Sequence, residues 1–237
     1  MIKKIKYAII GGGCMGQEHI LNIEIIEDAE VVALCDTSQK SINECLDLLN
    51  NEVAIFEDYN DLIEANIANA FIIATPNFSH IDVLKDVMRS GAHLLIEKPL
   101  CTTVKDCQEF EEMAKNYSGV IWTAMEYRYM PPVQRMIQEI HNGTIGDLKM
   151  LSIREHRFPF LHKVDDWNRF AIKTGGTLVE KCCHFFDLMR LIAQSEPLKV
   201  YASGNQDVNH LNETYDGMTP DILDNAFVIV DFDNGVR

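Results

Sequence analysis

Residues 7–20, YAIIGGGCMGQEHI, decide how the first half of the chain must be read. Gly11, Gly13 and Gly16 stand in G-x-G-x-x-G spacing, directly after a short apolar run and at the start of an amphipathic stretch. Alone, three such glycines mean little. Between a strand and a helix they form a dinucleotide fingerprint: the first permits the tight turn, the second lets backbone approach a pyrophosphate, and the third lets helix pack on strand. Cys14 and Met15 then open the helix, whose first N–H groups lack intrahelical acceptors and can face a phosphate.

The pattern continues as an α/β sheet demands. Apolar runs at Ile5–Ile10, Val31–Cys35, Ala70–Ala74, His93–Ile96 and Val120–Thr123 read as strands buried on both faces. Amphipathic stretches at Met15–Ile26, Ser38–Leu49, Ser79–Arg89 and Val104–Lys115 read as the helices between them. The second strand ends in Asp36, whose carboxylate suits the two ribose hydroxyls of an adenosine and would repel a 2′-phosphate. No arginine lies between it and Arg89, so NAD is favoured and NADP is the less favoured cofactor. Two more segments fall at the carboxyl ends of strands, where open α/β sheets bind ligands: ATPNFSH, with Thr75, Pro76 and Asn77, and LLIEKPL, with Glu97 and Lys98. A lysine beside a nicotinamide is suited to proton transfer.

From about residue 123 the rhythm changes. A helix follows Pro131-Pro132, and longer strand-like runs appear at Leu148–His156, Lys199–Gly204 and Ala226–Phe232. The expected organisation is a Rossmann domain over 1–122 and an α+β domain with a large, mostly antiparallel sheet over 123–237. The final VIVDFDNGVR reads as a strand entering a turn without its returning partner, so this second domain is expected to be incomplete at its C-terminus.

Composition excludes some functions. With 36 acidic against 21 basic residues, a net charge of −15 argues against nucleic acid or an anionic membrane as partner. The basic, apolar start MIKKIKYAII is too short for a signal peptide, and no run approaches a membrane span. Seven cysteines without framework spacing suit a reducing cytoplasm.

With G-x-G-x-x-G, Asp36, ATPN…H and EKP in this order, the chain resembles the glucose–fructose oxidoreductase / inositol dehydrogenase / MocA family. EYRYMPP is similar to that family's Asn-x-Arg-x-x-Pro element, with Glu126 where asparagine is common and Arg128 and Pro131 retained. NGTIGDL is similar to its turn into the large sheet. DDW…GG, followed by a helix carrying a carboxylate and a histidine, is similar to its substrate wall.

The resemblance implies an NAD-dependent dehydrogenase acting on a secondary hydroxyl of a sugar, cyclitol or related polyol. It implies Lys98 and His184 as catalytic residues assisted by Glu180, although aspartate is commoner at that last position. Arg128, His156, Arg157, Trp167, Lys181 and His184 are candidates for substrate contact, and a homo-oligomer through the C-terminal sheet is expected. An NAD-binding regulator or remnant, and an NAD-dependent glycosidase, are the alternatives.

In GGTLVEKCCHFFDLMR, residues 175–190, Gly175-Gly176 are expected to let the chain approach the cofactor before one helix begins, with Glu180, Cys183, His184 and Asp187 on one side of it and Asp187 anchoring the histidine. Cys182 and Cys183 read as small packing residues. Adjacent cysteines point about 100° apart on a helix, so no metal site is expected there.

Overall fold

A computed structural model describes residues 4–237. The chain forms two compact units, one ending at Ala124 and the other beginning at Met125.

The first unit is a six-stranded, wholly parallel sheet. Its strands are β1 (Ile5–Ile10), β2 (Ala29–Cys35), β3 (Ala54–Phe56), β4 (Ala70–Ile73), β5 (His93–Ile96) and β6 (Ile121–Thr123), in the order β3-β2-β1-β4-β5-β6. Such a sheet must be covered on both faces, and the two-residue period of the strands decides which side chain meets which layer. Ile9, Val31, Leu34 and Ile72 face α1 (Cys14–Glu24) and α2 (Gln39–Leu46), packing with Ile20, Ile23, Ile42 and Cys45. Ala8, Ile10, Ala33, Cys35, Phe71, Ile73, Leu94 and Ile96 face the other way. They pack with Leu62 of α3 (Tyr59–Ala65), with Ile81, Leu84 and Val87 of α4 (His80–Val87), and with Phe110 of α5 (Val104–Ala114). The strand order reverses between β1 and β4, and the crevice above that point is where this architecture receives ligands.

Two elements lie outside the sequence expectation, β3 and α3. β3 is three residues long and too short to carry a pattern. α3 is set by caps: the Asp58 carboxylate accepts the Asn60 N–H, and Asn66 closes the helix at φ 48°.

The second unit begins with α6 (Pro131–His141), whose proline stands at the first turn, where a missing N–H costs nothing. It continues through α7 (Ala171–Thr174), α8 (Thr177–Glu180) and α9 (Cys183–Ala193) to β7 (Pro197–Asn205) and β8 (Asn225–Phe232), which pair antiparallel. The expected large sheet is therefore a two-stranded ladder among the described residues. The expected strand Leu148–His156 is not one, because a strand needs a neighbour. Its pairing within the described backbone is confined to Arg237, which donates to the Lys149 carbonyl and accepts from the Leu151 N–H.

Polar loops of this unit are tied by two carboxylates. Buried Arg169 donates to Glu213, which also accepts from the Tyr215 hydroxyl and pairs with His210. Asp224 accepts the backbone N–H groups of Asp207, Val208 and Asn209, which outweigh the effect of partial burial and hold its carboxyl down at about 2. No helix among the described residues is long and apolar enough to cross a membrane.

Candidate active site

In the first unit, the G-x-G-x-x-G turn is shaped by contact. Gly11 adopts φ +99°, and a β-carbon there would lie 2.6 Å from the Ala74 carbonyl carbon and oxygen. A β-carbon on Gly16 would lie 2.0 Å from the Gly11 carbonyl oxygen. No L side chain fits either place. A β-carbon on Gly13, the N-cap of α1, would meet nothing within 4 Å, so backbone there stands open. Gly13, exposed Cys14, half-buried Met15 and Gly16 thus present the free N–H end of an eleven-residue helix, a cradle that fits a pyrophosphate.

Asp36 follows β2 at the expected place. Its Oδ2 accepts the Gly12 N–H at 2.6 Å and its Oδ1 the Ser38 N–H at 2.7 Å, so the carboxylate is locked facing the glycine turn. Lys40 points outward and pairs with Glu44 at 3.7 Å, so among the described residues no cation is fixed beside Asp36 to welcome a 2′-phosphate.

Thr75, Pro76 and Asn77 follow β4, and Glu97 and Lys98 follow β5, so both loops sit at the carboxyl edge of the sheet. Sequence reasoning missed what joins them. His80, fully buried, places Nδ1 2.9 Å from the Pro99 carbonyl oxygen and Nε2 3.0 Å from that of Thr75. Burial pushes its pKa down, against the pull of those carbonyls, that of Leu100 and the charge of Glu97. His19, three residues beyond Gly16, reaches Glu97 Oε1 at 2.8 Å. Burial alone would raise the Glu97 carboxyl, but the hydrogen bond and charge of His19, with the charge and N–H of Lys98, hold it below the ordinary range. Both histidines stood inside stretches already singled out; no local pattern marked them as bridges.

In the second unit the residues around His184 come together differently from expectation. Gly175 and Gly176, at φ +81° and +87°, turn the chain into α8, which ends at Glu180. Lys181 and Cys182 interrupt the expected single helix, and α9 begins at Cys183. The Cys182 carbonyl accepts from Phe185 and Phe186, restarting the helical ladder. Glu180 and His184 are both buried, and Cys182 and Cys183 are half-buried. The imidazole stacks on Tyr127, with centroids 4.1 Å apart and planes 8° from parallel. Its Nε2 lies 3.4 Å from Glu126 Oε1.

Asp187 does not anchor the histidine. It accepts from Nε and Nη2 of the Arg128 guanidinium, a forked pair of charge-assisted hydrogen bonds, and this pins the Glu126–Tyr129 turn to α9. Arg128, a substrate candidate, is thus held by Asp187. Lys181 pairs with Glu180 at 3.2 Å and lies over the Phe160 ring. Trp167 is buried beneath the Lys163 ammonium. His156 and Arg157 lie in exposed coil, with Arg157 3.7 Å from Glu155.

The comparisons with known proteins agree with these two units. Residues 5–125 match the oxidoreductase family with an NAD-binding Rossmann fold, and residues 137–237 match that family's C-terminal α/β domain. The chain belongs to this Gfo/Idh/MocA oxidoreductase family. It is 26% identical over 194 residues to the rhizopine catabolism protein MocA of Rhizobium meliloti, covering 82% of this chain and 59% of that protein. It is 26% identical over 231 residues to myo-inositol 2-dehydrogenase of Thermotoga maritima, covering 98% and 66%. Among solved structures, a probable dehydrogenase from Thermotoga maritima superposes with a TM-score of 0.83 at 25% identity, over 98% of this chain and 66% of that one. The chain thus spans about three fifths to two thirds of the length of these relatives.

The His19–Glu97 pair generates a test. A carboxyl held below its ordinary value contributes stability that is full above the unfolded pKa, about 4.3, and is lost as pH falls through the folded value. His19→Leu keeps bulk but leaves Glu97 buried without its partner, and is expected to cost about 3 kcal/mol at pH 7. The difference from wild type should shrink as pH falls from 7 into the acid range and the Glu97 carboxyl takes up its proton. Urea titrations along that pH series measure this; equal stability at pH 7 would contradict the assignment.

Proposed function

We propose that this chain is an NAD-dependent dehydrogenase that oxidises a secondary hydroxyl of a sugar, cyclitol or related polyol, or reduces the matching ketone. The observation that carries the reading is the glycine turn with Asp36 locked against it: backbone open for a pyrophosphate, and a carboxylate poised for ribose hydroxyls with no fixed cation beside it among the described residues. Membership of the oxidoreductase family, and a relative named as a myo-inositol 2-dehydrogenase, support the substrate class.

NAD, when bound, supplies the hydride acceptor. Gly11, Gly13, Cys14, Met15, Gly16, Asp36, Thr75, Pro76, Asn77, Glu97 and Lys98 are assigned to hold it. His80 joins the two loops that carry Thr75 and Lys98, so both are positioned together. Lys98 and His184 are assigned to the substrate hydroxyl whose proton must leave as the carbon is oxidised. Glu180 is assigned to orient the substrate or the histidine.

We further place the chain in the cytoplasm, on its unpatterned cysteines, and as a homo-oligomer through the β7–β8 sheet. Tyr201, Phe227 and Ile229 stand on one face of that ladder, 57–79% exposed. Val230 and Phe232 are buried with Ala193 and Val236. An apolar face of this kind marks an interface. Light scattering is expected to give a multiple of the chain mass, falling to one chain in Phe227→Asp; a monomeric wild type would refute it.

For the activity itself, purified protein with NAD and a panel of cyclitols and sugars should reduce the cofactor on at least one of them. Lys98→Ala and His184→Ala should each lower kcat by about 10²-fold or more. Full activity in both variants would overturn the assignment.

A further inference from the structure

We infer that Cys45 and Gln17 are positioning residues for the pyrophosphate: donating together to the Gly12 carbonyl, they turn the Gly13 N–H toward the cofactor. The inference rests on the reading of the glycine turn as a dinucleotide cradle, and it names two side chains outside the fingerprint that shape it. The Cys45 thiol, wholly buried on α2, donates to the Gly12 carbonyl oxygen at 3.3 Å. The side-chain amide of Gln17, on α1, donates to the same oxygen at 3.1 Å. That amide nitrogen also donates to Glu44 Oε2 at 3.1 Å. Two acceptors at one end of the amide settle which end carries the nitrogen.

Two peptide planes meet at Gly12, and a glycine does little to restrict either of them. Asp36 holds the first plane by accepting the Gly12 N–H at 2.6 Å. Cys45 and Gln17 hold the second, one donor for each lone pair of its carbonyl oxygen. This second plane is the Gly12–Gly13 peptide, which is trans, so its C=O and N–H point in opposite directions. With the carbonyl drawn to the Cys45 thiol, the Gly13 N–H faces away from it, at the N-cap of α1. A β-carbon on Gly13 would meet nothing within 4 Å, so a phosphate oxygen has room to approach.

The contact with α2 is close. A β-carbon on Gly12 would lie 3.0 Å from Cys45 Sγ, so the turn is fitted against the thiol. Burial, then the charges of Asp36 and Glu44, push that thiol up to about 11, and at neutral pH it keeps the hydrogen it donates.

Calorimetric titration with NAD compares wild type with Cys45→Ser, Cys45→Val and Gln17→Leu. The first keeps a donor at 45; the second keeps the bulk and loses the donor. NAD is expected to bind about tenfold more weakly to Cys45→Val and to Gln17→Leu, and within about twofold of wild type to Cys45→Ser. Adenosine, which carries no phosphate, is measured by displacement of NAD and should bind all of these proteins alike. Gln17 is only half-buried, so its variant decides the matter if Cys45→Val does not fold. Undiminished NAD affinity in either folded variant overturns the inference, as does an equal loss for adenosine or a loss in Cys45→Ser as large as in Cys45→Val. A wild type that binds NAD but oxidises no polyol refutes the dehydrogenase reading alone, and the affinities still decide this one. A wild type that binds no NAD overturns both.

Discussion

The Gly11 carbonyl oxygen lies 2.0 Å from where a β-carbon on residue 16 would be, and Gly11 itself lies against the backbone of Ala74 at the end of β4. This double close approach is the constraint on which the first unit depends. It seats α1 directly on β1 and brings the end of β4 against the glycine turn. It also aims the Gly12 N–H at Asp36, so the turn and the second strand are locked by a 2.6 Å hydrogen bond. From α1 the same seating extends His19 to Glu97, and so reaches the loop that carries Lys98. One steric requirement thus arranges the helix end, the ribose carboxylate and the lysine loop together.

The second unit solves a different problem, which is to hold a titratable ring in a nearly dry place. A buried histidine needs a shape around it and a route for its proton. The shape comes from Tyr127 stacked on one face and from the break between α8 and α9, which places Glu180 and His184 both inside. The rigidity comes from Arg128 and Asp187, a forked ion pair that ties the Glu126–Tyr129 turn to α9.

Much of this was legible in the residues, for physical reasons. Strands of a parallel sheet are buried on both faces and read as apolar runs, so β1, β2, β4 and β5 stand out. Glycines forced by close contact recur at fixed spacing, and Asp36 at a strand end is equally plain. What was not legible depended on partners distant in sequence. His80 reaches Pro99 and Thr75, His19 reaches Glu97, and Asp187 takes Arg128 rather than the histidine one turn away; each is a choice among acceptors that spacing alone cannot rank. β3 is too short for a period, and α3 was signalled only by its Asp58 cap. The run at 148–156 has the composition of a strand, but strand formation is a property of pairs, and within the described backbone only Lys149 and Leu151 meet a partner there, Arg237.

The central claim is that the glycine turn and Asp36 together select NAD. Calorimetric titration of the protein with NAD and with NADP tests it most directly. Binding of NAD at least about tenfold tighter than NADP is predicted, a difference of about 1.4 kcal/mol, with the preference lost in Asp36→Ala. Equal or tighter binding of NADP by the wild-type chain, or binding of neither, would contradict the account.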